Sequence, residues 1–181
     1  MAASLGTHIR PWTGTVYRHI PADAGRNVRD LGFAGRRSSG RWHWAGQPTL
    51  YLASDSAVAI AEFARHLALD RGGAVRPARR AVHELTLRVE RLVDLRDDAV
   101  LRLIGRDDAP ECWLDPRIAR AVATFFRDSL AVQGLIVPSV AHLDAPDRFN
   151  VVCFLENLPS DPRAFLPRAR RRATVQVEPE S

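Results

Sequence analysis

Three side chains of different chemistry follow one another at short intervals in the first third of the chain. Arg41, Tyr51 and Glu62 lie ten and eleven residues apart. A guanidinium binds phosphate through paired hydrogen bonds, and a tyrosine ring stacks on a flat ring. A carboxylate stabilises positive charge that develops on a sugar. Together the three types suit a ligand that carries phosphates, a planar cationic ring and a ribose.

Local patterns place these residues on a loop, a strand and a helix. Residues 22–47 are polar and glycine-rich, and we expect a long loop of the kind that often carries function. Residues 49–53 read as a short strand that turns Tyr51 toward small neighbours. Side chains that can cap a helix precede residue 56, and the pattern predicts a helix over residues 56–69. Glu62 points away from the apolar stripe of this helix. That stripe consists of Ile60, Phe63, Ala64 and Leu67, and Gly72-Gly73 is expected to end the helix.

The remaining elements indicate the fold class. Strands outnumber helices and do not alternate strictly with them, which favours an α+β fold with mainly antiparallel central sheets and flanking helices. The expected strands are 15–20, 81–89, 134–137 and 151–155, with a brief strand or turn at 92–95, and the further helices are 97–104 and 116–132. In the last helix Ile118, Val122, Phe125 and Phe126 are expected to face inward.

The length of 181 residues fits one domain. We expect residues 1–14 to be a lead-in, residues 15–158 to form the domain, and the proline- and arginine-rich residues 159–181 to form a tail that wraps or frays. Hydrophobic residues make up 46% of the chain, yet no apolar run is long enough to span a membrane. The first residues do not read as a secretory signal, so we expect a cytoplasmic protein.

The positive charge of the chain suggests a second class of function. The net charge is +5, and the alternative to an enzyme is therefore a basic, non-catalytic module that binds nucleic acid. All 26 basic residues are arginine, which indicates a coding bias, and the arginine runs are not interleaved with aromatic residues as a single-strand binder requires. The strongest support for this alternative is the run at 168–172.

Motifs for other chemistries are missing from the sequence. Cys112 and Cys153 form no CxxC pattern and have no histidine at zinc-ligand spacing, so no metal site is predicted. Neither GxxxxGK[ST] nor GxGxxG occurs. Ser139 ends a buried strand without a GxSxG context, and we interpret it as a hydrogen-bond donor rather than a nucleophile.

Taken together, these segments resemble the RES domain family, which supplies the toxins of many bacterial toxin–antitoxin pairs. The resemblance starts at Val16-Tyr17-Arg18, continues from Gly40-Arg41-Trp42-His43 to Ala61-Glu62, and resumes at Gly134-Leu135-Ile136-Val137-Pro138-Ser139. It fades after residues 150–154 and so covers about residues 15–155. Three features depart from the family pattern: His43 stands where many members have Asn, residues 140–149 are longer than the usual link, and the arginine-rich tail is not a family hallmark.

The resemblance implies a fold like that of ADP-ribosyltransferases, with NAD⁺ held in a cleft between strands. It implies cleavage of the nicotinamide–ribose bond, with Glu62 as the carboxylate near the sugar and Tyr51 stacked on nicotinamide. Arg41 would anchor the phosphates, together with Arg18, and Ser139 would hydrogen-bond ribose or the amide. No metal and no cofactor beyond NAD⁺ as substrate is implied.

The resemblance also implies partners. The leading expectation is a toxin neutralised by a cognate antitoxin of the helix-turn-helix, Xre-like kind, with nucleic acid contacted only through that antitoxin. Water, inorganic phosphate or a protein could accept the ADP-ribose, so a glycohydrolase, a phosphorylase and a mono-ADP-ribosyltransferase acting on a protein all stay open.

Overall fold

Two long strands form the frame of the molecule, because they pair with each other over most of their length. β1 spans Arg10–Pro21 and β3 spans Ala78–Asp94. They pair antiparallel along most of their length, from Arg10 opposite Leu92 to Pro21 opposite Arg80. The computed structural model describes residues 2–22, 25–32, 34–36, 38–69 and 77–178; the glycine pair expected to end the first long helix lies outside them.

Four shorter strands within the described ranges complete the sheet, three by closing it and one as an added edge. They are β2 (Thr49–Ala53), β4 (Gly134–Pro138), β5 (Phe149–Phe154) and β6 (Arg168–Val177). The order is β1-β2-β5-β4-β3-β6, and since β1 also pairs with β3, the first five strands of that order form a ring. β3 and β4 run parallel, whereas the other pairings among the described strands are antiparallel, so the sheet is mixed.

Helices within the described ranges are few and flank the sheet, so the fold is of the α+β class. They are α1 (Ala2–Gly6), α2 (Ser56–Leu69), α3 (Asp98–Leu103), α4 (Pro116–Thr124) and α5 (Pro162–Phe165), with 3-10 turns at Glu111–Leu114 and Leu155–Asn157 and a π-helical turn at Phe125–Ser129.

The core has two main clusters, one for each face of the sheet. One cluster takes side chains from all five strands of the ring, such as Val16, Leu50 and Leu87. The other joins α3 and α4 to β4 and β5, with Trp113 and Phe126 fully buried. A third, small cluster seats α2 on the sheet through Ala53, Val58 and Ala59. The candidate site lies where α2 meets the strands.

Several predicted elements match the structure. β2 and α2 have the predicted bounds. α3 lies within the predicted 97–104, with the Asp97 side chain accepting a hydrogen bond from the Ala99 N–H as its N-cap. These elements are specified by local signals, namely alternation and capping side chains, so the sequence alone locates them.

The two predicted strands at 81–89 and 92–95 are one strand in the structure. β3 continues through Glu90 and Arg91 because the side-chain oxygen of Gln133 accepts hydrogen bonds from both of their backbone N–H groups. From Leu92 onward this edge of β3 pairs with the parallel strand β4.

Residues 1–14 contain α1 and the start of β1. Residues 168–177, expected in a wrapping or fraying tail, form β6, which pairs with β3 from Thr86 to Ala78.

The inward faces predicted for two helices are wrong in part. In α4 the α-helix ends at Thr124, and the wider π-helical turn rotates the chain so that Arg127 is buried beside Phe126. Ala119 and Ala123 are the buried face, while Ile118, Val122 and Phe125 are half-buried and line an open apolar groove of about 330 Å³.

α2 shows the same kind of difference. Val58 and Ala59 are its buried residues, and the predicted stripe of Ile60, Phe63, Ala64 and Leu67 is only half-buried. The helix therefore turns the Val58 and Glu62 side toward the sheet. Among the described residues, no helix combines the length and apolar character of a membrane span.

Candidate active site

A cleft opens where β1 and β2 separate. The two strands share one registered pair, Tyr17 opposite Ala53. Beyond it the loop residue Ala34 lies beside β2, with its carbonyl accepting from the Thr49 N–H at 3.2 Å. The resulting cavity is about 280 Å³ in volume. Its lining comes from β1 (Tyr17, Arg18, His19), the loop (Ala34, Gly35), β2 (residues 49–53), α2 (Ala59, Glu62) and β5 (Asn150).

Gly35 explains why the loop can lie so close to β2. Its φ is +71°, and a Cβ there would meet the Gln47 carbonyl oxygen at 2.5 Å and the Thr49 nitrogen at 2.7 Å. Residues with a side chain rarely adopt this conformation, and only glycine leaves this space free. The backbone itself therefore forms part of the cleft wall.

Glu62 is held by two side chains from distant parts of the chain. The Ser139 hydroxyl donates to Glu62 Oε1 at 2.6 Å, and the Asn150 amide donates to the same oxygen at 3.0 Å. The Ala141 N–H is 3.5 Å from this oxygen as well. No hydrogen bond reaches Glu62 Oε2 from the part of the chain that the structure describes. The carboxylate thus has one anchored oxygen and one oxygen open to a ligand.

Strand order brings these donors together. Asn150 of β5 stands opposite Ala53 of β2 on one side and Val137 of β4 on the other. Ser139 directly follows β4 and is fully buried. Asn150 was not among the residues singled out from the sequence, because only the pairing of β5 between β2 and β4 places it beside Glu62.

The half-buried ring of Tyr51 lines the cleft, and its hydroxyl forms hydrogen bonds with groups of the loop that precedes β2. The Trp42 N–H donates to the hydroxyl oxygen at 3.0 Å, and His43 Nδ1 lies 2.9 Å from it. Burial raises the pKa of Tyr51 to about 12, although the Trp42 N–H and nearby arginines act in the opposite direction. The hydroxyl is therefore neutral at any physiological pH.

Arg18 also lies in the cleft, on β1. Its Nη1 donates to the Val28 carbonyl, which ties the loop to the strand. Burial lowers the pKa of Arg18 to about 10, with Asp30 raising it and Arg80 lowering it further. The guanidinium is still charged at neutral pH, so it presents a positive group to whatever fills the cavity.

Arg41 sits beside the cleft rather than in its lining. Its Nη1 donates to the carbonyls of Trp113 and Leu114, at 2.6 and 2.9 Å. Burial lowers the pKa of Arg41, the Arg65 charge lowers it further, and the Glu62 carboxylate acts in the raising direction, so Arg41 and Glu62 belong to the same electrostatic neighbourhood. Tyr51, Glu62 and Arg18 thus line one cavity. Ser139 is hydrogen-bonded to Glu62, and Arg41 lies at the margin of the cavity.

A further arginine, not singled out from the sequence, supports the loop that carries Arg41. Arg120 Nε donates to the Gly40 carbonyl at 2.8 Å, and its guanidinium lies 4.7 Å from the centre of the exposed Trp44 ring. Its position on α4 gives no sequence signal, because contact with residue 40 depends on tertiary packing. No group of three or more metal-ligating side chains occurs within the described ranges.

Comparison with known proteins agrees with this architecture. A family profile described as RES domain matches residues 15–175. One similar solved structure is the crystal structure of the M. tuberculosis MbcT–MbcA toxin–antitoxin complex, at 20% sequence identity and a TM-score of 0.61, covering 98% of this chain and 92% of that chain. No curated protein matches the chain. Because the profile spans most of the sequence, the chain belongs to the RES domain family.

Proposed function

We propose that this protein is a toxin that cleaves NAD⁺ at the nicotinamide–ribose bond and is neutralised by an antitoxin. The observation that carries the proposal is the Glu62 carboxylate, anchored at Oε1 by Ser139 and Asn150, in a cleft that also presents the Tyr51 ring and Arg18. The opening between β1 and β2 supports an ADP-ribosyltransferase-like fold, in which a dinucleotide enters between separated strands.

The residue types fit the charge changes of this reaction. As the bond from the ribose carbon to the pyridinium nitrogen breaks, its electron pair leaves with nicotinamide and positive charge develops on the ribose. The open Oε2 of Glu62 stabilises that charge. An oxygen nucleophile then forms the new bond to the ribose carbon and releases its proton to Glu62 or to solvent. The reaction needs no oxidant or reductant.

The other residues bind and orient the substrate. The Tyr51 ring offers a stacking face to the flat nicotinamide. Arg18 in the cleft and Arg41 at its margin supply positive charge for the pyrophosphate, and guanidinium groups bind phosphate oxygens in pairs. Ser139 acts on the substrate through Glu62, because its hydroxyl donates a hydrogen bond to the carboxylate.

The nucleophile decides among three reactions of the same site. Water gives free ADP-ribose, inorganic phosphate gives phosphorylated ADP-ribose, and a protein side chain gives an ADP-ribosylated protein. Mass spectrometry of the products, with and without phosphate and with a bacterial lysate as acceptor, separates them.

The test of the proposal compares the wild-type protein with Glu62→Gln. The amide keeps an oxygen for Ser139 and Asn150 but carries no negative charge, so we expect nicotinamide release to fall by about a hundredfold or more. A variant with full activity would refute the role of Glu62. A wild-type protein that leaves NAD⁺ intact under all conditions would refute the proposal as a whole.

The antitoxin part rests on a similar protein whose structure was solved as a toxin–antitoxin complex. We propose a helix-turn-helix, Xre-like partner. Expression of this chain alone is expected to deplete cellular NAD⁺ and stop growth, and co-expression of the partner encoded beside it is expected to restore both. Growth arrest that persists with Glu62→Gln would separate toxicity from NAD⁺ cleavage.

A further inference from the structure

The Tyr51 hydroxyl lies within a chain of directional hydrogen bonds that the proposed reaction does not use. The Trp42 N–H donates to the hydroxyl oxygen at 3.0 Å. His43 Nδ1 is 2.9 Å from the same oxygen, and His43 Nε2 is 3.0 Å from the Ser38 carbonyl oxygen. The chain therefore runs from one loop backbone group to another through the two side chains.

The donors and acceptors fit one arrangement of protons in the neutral state. The Ser38 carbonyl only accepts, so His43 Nε2 must carry the proton. A neutral imidazole then has its lone pair on Nδ1, which accepts the Tyr51 O–H. The Tyr51 hydroxyl thus accepts one hydrogen bond and donates one, and its proton points away from the cleft.

Packing leaves little freedom for either ring. His43 is only 5% exposed, and the two ring centres are 5.6 Å apart at an angle of 55°. Gly40 makes this approach possible, because a Cβ at that position would lie 2.7 Å from His43 Nδ1 and 2.8 Å from the Tyr51 hydroxyl oxygen. The arrangement is therefore built into the loop at residues 38–43.

We infer that neutral His43 is a positioning residue that fixes the Tyr51 ring in the cleft, so that the ring face and not the hydroxyl is what Tyr51 offers to a ligand. This inference rests on the proposed function for the identity of the ligand. It assigns His43 no contact with substrate. It also makes Tyr51 a stacking surface rather than a proton donor, in agreement with its raised pKa.

Protonation of His43 would disturb this arrangement. Both ring nitrogens would then donate, so Nδ1–H would point at the Tyr51 oxygen and the Tyr51 proton would have to turn elsewhere. The groups that act on His43 are Tyr51 from β2, Arg120 from α4, Arg127 from the π-helical turn, and the backbone of residues 35 and 38. Burial lowers the pKa of His43, and both arginines lower it further. The ring is therefore neutral at pH 7, and the disturbance is confined to pH values below its ordinary pKa of about 6.5.

The first experiment needs no ligand and so stands apart from the proposed function. Long-range ¹⁵N–¹H NMR spectra of the whole protein distinguish the two imidazole tautomers, and the spectrum of His43→Asn identifies the His43 signals by their loss. We expect the Nε2–H tautomer at pH 7. An Nδ1–H tautomer, or a charged ring at that pH, would overturn the inference whether or not NAD⁺ is cleaved.

The second experiment uses a matched pair of amide variants. In His43→Asn the side-chain oxygen can take the place of Nδ1 and accept from Tyr51, whereas in His43→Gln the amide reaches toward Ser38 instead. We expect His43→Asn to keep kcat/KM for NAD⁺ within about threefold of wild type and His43→Gln to lower it about tenfold, the effect of one lost hydrogen bond. Tyr51→Phe is expected to match His43→Gln, and the double variant to be no worse than either.

Several outcomes decide the matter. Equal activity in His43→Gln and wild type would overturn the inference, as would additive losses in the double variant. The wild-type rate is expected to fall on the acid side of its pH profile, and His43→Asn to lack that limb; an unchanged limb would count against His43. If no variant and no wild-type protein turns over NAD⁺, the proposed reaction is wrong, and the tautomer alone decides the role of His43.

Discussion

Replacing Ser139 with alanine removes the shortest hydrogen bond that reaches the Glu62 carboxylate. The bond is 2.6 Å long and Ser139 is fully buried, so solvent cannot replace the lost donor easily. Hydrogen bonds to charged groups contribute about 1.5–3 kcal/mol. If that amount is lost from the transition state, kcat falls about 10- to 150-fold. Asn150 still donates to Oε1, so Glu62 stays anchored at one point.

The pattern of the kinetic change separates two roles for Ser139. Loss of a residue that holds Glu62 lowers kcat and leaves KM for NAD⁺ unchanged, because the bond orients the carboxylate and makes no contact with bound NAD⁺. Loss of a residue that binds ribose or the amide directly raises KM. Initial rates of nicotinamide release over a range of NAD⁺ concentrations measure both constants. A raised KM with unchanged kcat would refute the role in positioning Glu62.

Two further variants make the Ser139 experiment specific. Ser54→Ala is the matched control, because the Ser54 hydroxyl oxygen accepts from the Phe149 N–H at 3.1 Å near the same end of β5 and forms no hydrogen bond with Glu62. Its kcat is expected to stay near wild type. Adding Ser139→Ala to Glu62→Gln is expected to cost nothing more in rate, because the charge that Ser139 orients is already gone.

The stability of the Ser139→Ala variant is an independent measure of the lost hydrogen bond. We expect Ser139→Ala to lower the free energy of unfolding by about 1–2 kcal/mol, because one donor to a charged group is lost while another remains. For a chain of this size that corresponds to a fall in Tm of about 2–8 °C. Loss of folded protein at the assay temperature would show as a loss of circular dichroism, so the kinetic result stays interpretable.

Two other predictions concern the surroundings of Tyr51. Gly40→Ala is expected to lower the rate of nicotinamide release by about tenfold or more, because the new Cβ overlaps the His43 ring and displaces the Tyr51 hydroxyl. Gly32→Ala is the control: its Cβ would lie 3.4 Å from the nearest side-chain atom, so the rate is expected to stay at the wild-type value. Arg127→Ala is expected to lower the free energy of unfolding by about 3–5 kcal/mol, measured by urea denaturation, because it removes a buried side chain and leaves the space over the Phe154 ring empty. Arg127→Met refills that space, so its loss of unfolding free energy is expected to be less than half as large.

Local signals were sufficient for the elements that carry Tyr51 and Glu62. A short, largely apolar run with an aromatic residue specifies β2. The Asp55 side chain, which accepts from the Val58 N–H at 2.9 Å, specifies the start of α2. The face of α2 was harder to predict, because the half-buried residues on its outer side are as apolar as those that pack on the sheet. The cleft exposes Glu62 on the inner side, where a pattern based on hydrophobicity expects no carboxylate.

Long-range pairing decided what the sequence could not. Asn150 reaches Glu62 only because β5 pairs with β2 and β4 at the same time. Exposed arginines made residues 168–172 look like a tail, yet they lie on β6, where β3 supplies the hydrogen bonds and Glu84 forms an ion pair with Arg172 at 3.3 Å. No local propensity distinguishes an arginine-rich edge strand from an extended segment in solution.

The way in which β1 uses its two edges explains why the cavity lies where it does. One edge pairs with β3 nearly throughout, and the other meets β2 only at Tyr17 and Ala53. Past that pair the two strands separate, so Arg18 of one strand and Tyr51 of the other line the gap between them, which a continuous sheet would close. A fully paired sheet at this point would satisfy more backbone groups but would leave no room for a ligand between a cation, an aromatic ring and a carboxylate. The single pair keeps the ring of strands closed, and the gap beside it brings groups from three separate elements within reach of one molecule.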